Sequence, residues 1–196
     1  FNTHKDDSLY AATPPLEALR LIISHAATIR RGGWSKGGHR WEAHRELMVN
    51  DVSRAYFYAP ATRSLFIELP DEDDEAQEGE VGRLNVCLYG TRDAAANWVT
   101  AYTTVLTQAG FTVGKYSAQH FHHEKRDLAV SVHGDDFTCS GPEHAPEWLK
   151  TIFEKAYDIK AEVLGPNAEK GQKTEIRVLN RVPTWNSWGD WLRTRP

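Results

Sequence analysis

Long apolar runs are missing from this chain. No stretch approaches the roughly 18 residues a bilayer-crossing helix needs, and no apolar leader opens it. The sequence therefore points to an intracellular protein, cytoplasmic or nuclear, without a membrane partner. Cysteine is scarce, with only Cys87 and Cys139, which excludes a disulfide framework and any zinc-type spacing. Both lie in apolar runs and read as buried thiols in a reducing compartment. A positive charge excess is also lacking. The formal net charge is −4, which argues against a simple nucleic-acid binder, since such proteins are usually basic. The first residue is Phe1 rather than Met, so the chain reads as a piece of a longer polypeptide.

What is present describes an ordinary globular protein. The 196 residues are 40% hydrophobic and 26% charged, enough for one domain with a sizeable core. Charge is unevenly spread. From Arg20 to Arg63 there are eight Lys or Arg against Glu42, Glu46 and Asp51, while Asp71 to Glu80 (DEDDEAQEGE) gathers acids with almost no apolar residue. The acidic run reads as a solvated loop.

Phe1 to Tyr10 is polar and reads as extended. Thr13-Pro14-Pro15 reads as a helix start, with Thr13 as N-cap and Pro14 in the first position. Leu16, Leu19, Ile22, Ile23 and Ala26 then mark one buried face of a helix reaching about Ile29. Arg30 to Arg45 (RRGGWSKGGHRWEAHR) interleaves basic residues with Trp34 and Trp41, a composition that can hold a nucleic-acid backbone and stack bases. Its glycines work against preorganised contacts, so it is read as a flexible insertion. Short strands are expected at Leu47–Val49, Ser64–Leu69, Val81–Tyr89, Ile159–Leu164 and Glu175–Val182, with a polar turn from Gly165 to Gln172. Asp93 is expected to cap a helix that buries Trp98, Tyr102, Val105, Leu106 and Ala109 and ends at Gly110. Ser140 to Glu143 resembles a capping box ahead of a helix with Ala145, Trp148, Leu149, Ile152, Phe153 and Ala156 on its stripe. His120 and His122 share one strand face and His123 the other, but no third zinc ligand stands at suitable spacing.

The chemistry-bearing stretch is Ala129 to Ser140, AVSVHGDDFTCS. Two β-prone runs flank a Gly134-Asp135-Asp136 turn, which makes a β-hairpin. Adjacent carboxylates at a tip repel, and a solvated turn gains nothing from the second. A divalent cation reverses that, because hard oxygen ligands suit Mg²⁺ or Mn²⁺. Asp51, at the end of the Leu47-Met48-Val49 run, supplies a third carboxylate. A strand-end acid with a hairpin-tip pair is what a two-metal site for in-line phosphoryl displacement requires.

Several motifs occur in one order: DVSRAYFYAP from Asp51, FIELP from Phe66, RLNVCLYGTRDAAANW from Arg83, VHGDDF from Val132 and EIRVLNR from Glu175. Together they resemble the reverse transcriptase domain of copia-type retrotransposon polyproteins, from about Leu9 to Trp185. The resemblance implies an α+β fold in one compact domain over residues 1–184, a polymerase palm whose small, mostly antiparallel sheet has helices packed on one face. Residues 185–196, with Trp185, Trp188 and Trp191, form a Trp-rich tail outside it. It also implies RNA-directed DNA polymerase activity, a nucleotidyltransferase of a transposable element. Asp51, Asp135 and Asp136 would hold two Mg²⁺ (or Mn²⁺), the first Asp of the hairpin pair indispensable and the second more peripheral. Val52, Ser53, Arg54, Ala55 and Tyr56 would bind the incoming nucleotide, with the Arg54–Tyr58 turn facing its triphosphate and Tyr56 as a steric gate. Tyr89, Gly90 and Arg92 would lie near nucleotide and template. Ala95 and Ala96 stand where the family commonly has a proline and an arginine, which removes a phosphate contact. The implied partners are an RNA or DNA template–primer, deoxynucleoside triphosphates and the rest of a polyprotein or a larger assembly. Basic fingers strands would precede Phe1 and a thumb would follow Trp185, so the isolated chain is expected to polymerise poorly.

Two other readings compete. A palm kept as a catalytically inactive structural or assembly subunit needs no turnover. A two-metal nuclease or phosphatase would use the same three carboxylates, with His133 as the only nearby base.

Overall fold

The structure, a computed structural model, describes residues 13–27, 30–34, 40–43, 45–70, 72–74, 77, 79–165 and 168–185. The extended segment expected at Phe1 to Tyr10, Ile29, parts of the acidic loop, and Trp188 and Trp191 lie outside them. The chain divides into two compact units, one of Phe1–Ala11 with Arg54–Val105, the other of Ala12–Ser53 with Leu106–Pro196.

The second unit is built on six antiparallel strands in the order β10-β3-β9-β8-β7-β6. They are β3 (Arg45–Val52), β6 (Thr112–Val113), β7 (His120–His123), β8 (Leu128–His133), β9 (Asp136–Pro142) and β10 (Ile159–Leu164). β3 and β9 are central and almost continuously buried, as strands covered on both faces must be. On one face α1 (Leu16–Ala26) lays Leu19, Ile22, Ile23 and Ala26 against Leu47, Val49 and Leu164, joined by Ile176 and Val178. On the other, α3 (Ala145–Ala156) brings Phe153 within 4.8 Å of Phe137 (ring centroids). The α+β class with an antiparallel sheet is what the sequence implies, but the helices lie on both faces rather than one. The reason is alternation: Leu47 and Val49 present one apolar face while Met48, Phe137 and Cys139 present another, and each needs a cover.

Local departures have local causes. α1 starts at Leu16, after Pro15 in extended conformation, not at Pro14, because a residue preceding proline is kept out of the helical region. No capping box forms at Ser140. β9 runs on to Pro142, and the buried Ser140 hydroxyl lies 3.2 Å from His25 Nδ1 instead. α3 starts after His144, whose φ is +71°. Glu175–Val182 is not a regular strand but a tight reversal with bridges Glu175↔Thr184 and Val178↔Arg181. Between α1 and β3, β1 (Arg30–Trp34) and β2 (Arg40–Ala43) pair as an antiparallel ribbon, so the stretch read as a flexible insertion is largely strand.

The first unit holds a 3₁₀ turn (Ala55–Tyr58), the two-stranded β4 (Phe66–Glu68) and β5 (Val81–Arg83), and most of α2 (Ala94–Gln108). The strand expected at Val81–Tyr89 stops at Arg83, with a single bridge from Val86 to Pro60 beyond it. Trp98 and Tyr102 are buried on α2 and stack edge to face, while Gly110 takes φ of +93° just past its end, the left-handed stop glycine provides. Cys87 and Cys139 are free, buried thiols.

Candidate metal centre

β3 carries Leu47, Val49 and Asp51 on its α1 side by simple alternation, so the apolar cover ends where the acid begins. β8 and β9 meet in a two-residue turn, Gly134-Asp135, with His133 opposite Asp136. Gly134 has φ of +66°, and an open surround means that conformation, not space, demands glycine there. The backbone N–H of Val52 donates to Asp135 O at 3.1 Å, which ties the end of β3 to the hairpin tip. Ser53 N–H donates to Asp158 O at 2.9 Å and anchors the same end toward β10.

Register then assembles a row. Asp51 pairs directly with Asp136 on β9 and with Lys160 on β10, and Asp136 with His133 on β8. Directly opposed residues share a face, so His133, Asp136, Asp51 and Lys160 run side by side across the strands. Asp135 joins from the turn: one carboxylate oxygen from each of Asp51, Asp135 and Asp136 lies within 4.8 Å of the others. Asp135 and Asp136, adjacent in sequence, both reach the cluster, because Asp135 belongs to the turn and only Asp136 to the strand. Asp51 and Asp136 are half-buried and Asp135 is exposed. Burial first, then the charges of Asp135 and Asp51, raise the Asp136 carboxyl above its ordinary value, with His133 pulling the other way.

This donor set fits a hard divalent cation. It is all oxygen, it converges from two positions fixed by strand pairing and one in the hairpin turn, and its mutual repulsion is what a cation relieves. Beside it, between the start of α1 and the Val178–Leu179 reversal, a pocket of about 130 Å³ reaches His133 and Asp136. Pro14, Pro15, Leu16 and Leu19 give it apolar walls, and Ser131 and Thr138 hydroxyls line it too. On the opposite face of β3, Asn50 is fully buried, and neither side-chain polar atom has a hydrogen-bond partner among the described residues.

The other implied site residues divide between the units. Val52 and Ser53 end β3 and follow it in the carboxylate unit, Val52 buried and Ser53 half-buried. Arg54, Ala55, Tyr56, Tyr89, Gly90 and Arg92 belong to the other unit. There Arg54 takes φ of +55°, Ala55 is buried, and the Tyr56 and Tyr89 rings lie 4.5 Å apart. Gly90 has φ of +88° in the turn before the exposed Arg92. Asp93 does not cap α2 with its side chain. Its carboxylate accepts from Arg63 Nη2 at 3.0 Å, Asn97 Nδ2 at 3.2 Å and Thr62 Oγ1 at 3.3 Å, and the Arg63 bond chiefly lowers its pKa. Lys160 was not singled out from sequence, because its place beside Asp51 comes from a strand pairing with no local signature.

Compared with known proteins, the chain matches no family model and no curated sequence. Fold and site together define an α+β protein with three acidic residues close enough to one another to hold a metal ion. Among the described residues, no helix is long and apolar enough to cross a membrane.

Proposed function

We propose that this chain is the palm of an RNA-directed DNA polymerase of the copia retrotransposon type, working on a template–primer and deoxynucleoside triphosphates with Mg²⁺ or Mn²⁺. The observation that carries the reading is the meeting of Asp51, Asp135 and Asp136 within 4.8 Å at one end of an antiparallel sheet. Bound there, divalent metal would lower the pKa of a primer 3′-hydroxyl and stabilise the pyrophosphate that leaves. The chain's own part is positional. Asp51 and Asp136 are fixed opposite each other by strand pairing, and Asp135 is fixed by the Val52 bond to its carbonyl. Phosphoryl transfer depends largely on such placement.

Primer extension on an RNA template tests the proposal. Asp51→Asn and Asp135→Asn should abolish extension, and Asp136→Asn should leave a measurable residue, as the resemblance implies. Equal loss from all three would contradict that order. His133 lies directly beside Asp136, which favours a second reading as a two-metal nuclease or phosphatase. Asp51-dependent hydrolysis without nucleotide would select it. A well-folded chain with neither activity would select the inactive structural palm.

A further inference from the structure

The ribbon of β4 and β5 has no part in the carboxylate site and belongs to the other unit. Its register sets Phe66 opposite Arg83, Ile67 opposite Gly82 and Glu68 opposite Val81. Opposed residues share a face, so Phe66, Glu68, Val81 and Arg83 lie on one face and Ile67 and Gly82 on the other. Phe66 is 60% exposed and Val81 55%, so large apolar side chains of one face stand in solvent. No third strand joins this sheet. Two strands alone are marginal in water, and a third strand or a packed helix is what makes such a ribbon stable.

The backbone shows where a third strand fits. Leu84 N–H donates to the Leu65 carbonyl at 2.9 Å, which makes these two a hydrogen-bonded pair. Antiparallel alternation then makes Ile67 and Gly82 the next such pair. Phe66 and Glu68 therefore turn their N–H and C=O groups away from β5, and no hydrogen bond among the described residues takes them up. Charge distinguishes this edge from the opposite one. β4 carries Glu68 and leads into Glu72, Asp73 and Asp74, all exposed, whereas β5 carries Arg83. We infer that the β4 edge takes up an extended, lysine- or arginine-rich segment of a partner protein as the third strand of this sheet. Backbone bonds to Phe66 and Glu68 hold the segment, an apolar side chain beside Phe66 covers the exposed face, and a cation beside Glu68 answers the acids. The same acids repel nucleic acid, and a second copy of the chain would bring acids to acids. The inference stands apart from the reading of the carboxylate site.

The test is anisotropy of a fluorescein-labelled peptide of about eight residues alternating lysine and valine, long enough to span a strand. Two comparison peptides go with it. One carries glutamate in place of lysine, and the other keeps the side chains but is methylated at every backbone nitrogen, so it cannot donate to the edge. The full chain should bind the first and neither of the others. Glu68→Lys should weaken the lysine peptide about tenfold and tighten the glutamate peptide. Phe66→Pro removes one outward N–H and leaves the ribbon's own bonds through Leu65 and Ile67, and it should cost about tenfold. Circular dichroism and thermal midpoints establish the fold of both variants. Should Phe66→Pro unfold, the methylated peptide carries the same test of edge bonding. Absence of binding to the lysine peptide would overturn the inference. So would equal binding of its methylated form, or unchanged affinity in Glu68→Lys, which would mark a basic peptide held elsewhere on an acidic chain. Sedimentation equilibrium tests the remaining occupant. A dimer that Phe66→Pro dissolves would assign the edge to a second copy and overturn the partner segment.

Discussion

At the start of β3, Arg45 donates to Asp127 Oδ2 at 2.8 Å and to the Asp127 carbonyl at 2.7 Å, and its second amino group lies 3.2 Å from His25 Nδ1. A guanidinium only donates, so His25 Nδ1 must accept, and the imidazole is neutral there. The Ser140 hydroxyl completes the group from β9. At the other end of the same strand, Asp51 meets Asp136 and Asp135, three acids together. The strand thus carries charge at both ends under opposite conditions. The Arg45 end supplies its own counter-charge and locks α1 to the sheet. The Asp51 end gathers three carboxylates, with Lys160 and His133 as their neighbours in register. Charge balanced within the fold marks the structural cluster, although Arg45 Nε is buried without a partner among the described residues, and three like charges together mark the candidate metal site.

The largest expected effect is at the Arg45 end. The Arg45 side chain is 3% exposed, and Arg45→Met should destabilise the protein by about 3 kcal/mol by leaving Asp127 without its main counter-charge. The urea midpoint reads this. A change below 0.5 kcal/mol, by the same scale, would mean that the network is not what locks α1.

A smaller effect of opposite sign is expected beside Asp51. Asn50→Leu should stabilise by about 1 kcal/mol, since it removes a buried amide whose polar atoms lack partners among the described residues. If it destabilises instead, Asn50 is hydrogen-bonded in solution.

The two ends should also answer acid differently. Burial first, and then Arg45, lowers the His25 pKa below 6.5. As pH falls below about 6.5 the unfolded chain takes up protons that the folded one refuses, so stability is lost on acidification. The Asp136 pKa is raised above 3.8. The folded chain therefore takes up that proton first as pH falls, and the cluster's repulsion is relieved in the same direction. Urea midpoints between pH 7.5 and 5.5 should fall for the wild type and fall less for His25→Asn. The carboxylate contribution should emerge closer to pH 4.

These contrasts show which parts of the molecule are legible in its sequence. Ile159–Leu164 is a strand as its pattern indicates, and Leu149, Phe153, Trp98 and Leu106 are buried on their helices as their spacing requires. Asp135 stands out because Gly134 marks a turn, and Asp51 because it ends an apolar run. Lys160 and the Arg45–Asp127–His25 group do not stand out, since distant segments bring them together and nothing local signals it. Ser140 misleads for a related reason. Its hydroxyl resembles a helix cap in sequence, yet a histidine from α1 engages it in the fold. The β1–β2 ribbon hides behind its glycines, which break the alternation that otherwise marks a strand.

The central claim is that the Asp51 end is completed by a divalent cation. The direct measurement is Mn²⁺ titration of the full chain by electron paramagnetic resonance at neutral pH, beside Asp51→Asn. The account predicts Mn²⁺ binding by the wild type, weakening as pH falls toward the raised Asp136 carboxyl, and its loss in Asp51→Asn. That variant should also be about 0.5 kcal/mol more stable without metal, because a like charge directly opposite Asp136 is gone. Equal Mn²⁺ binding by the two proteins, or none by either, would contradict it.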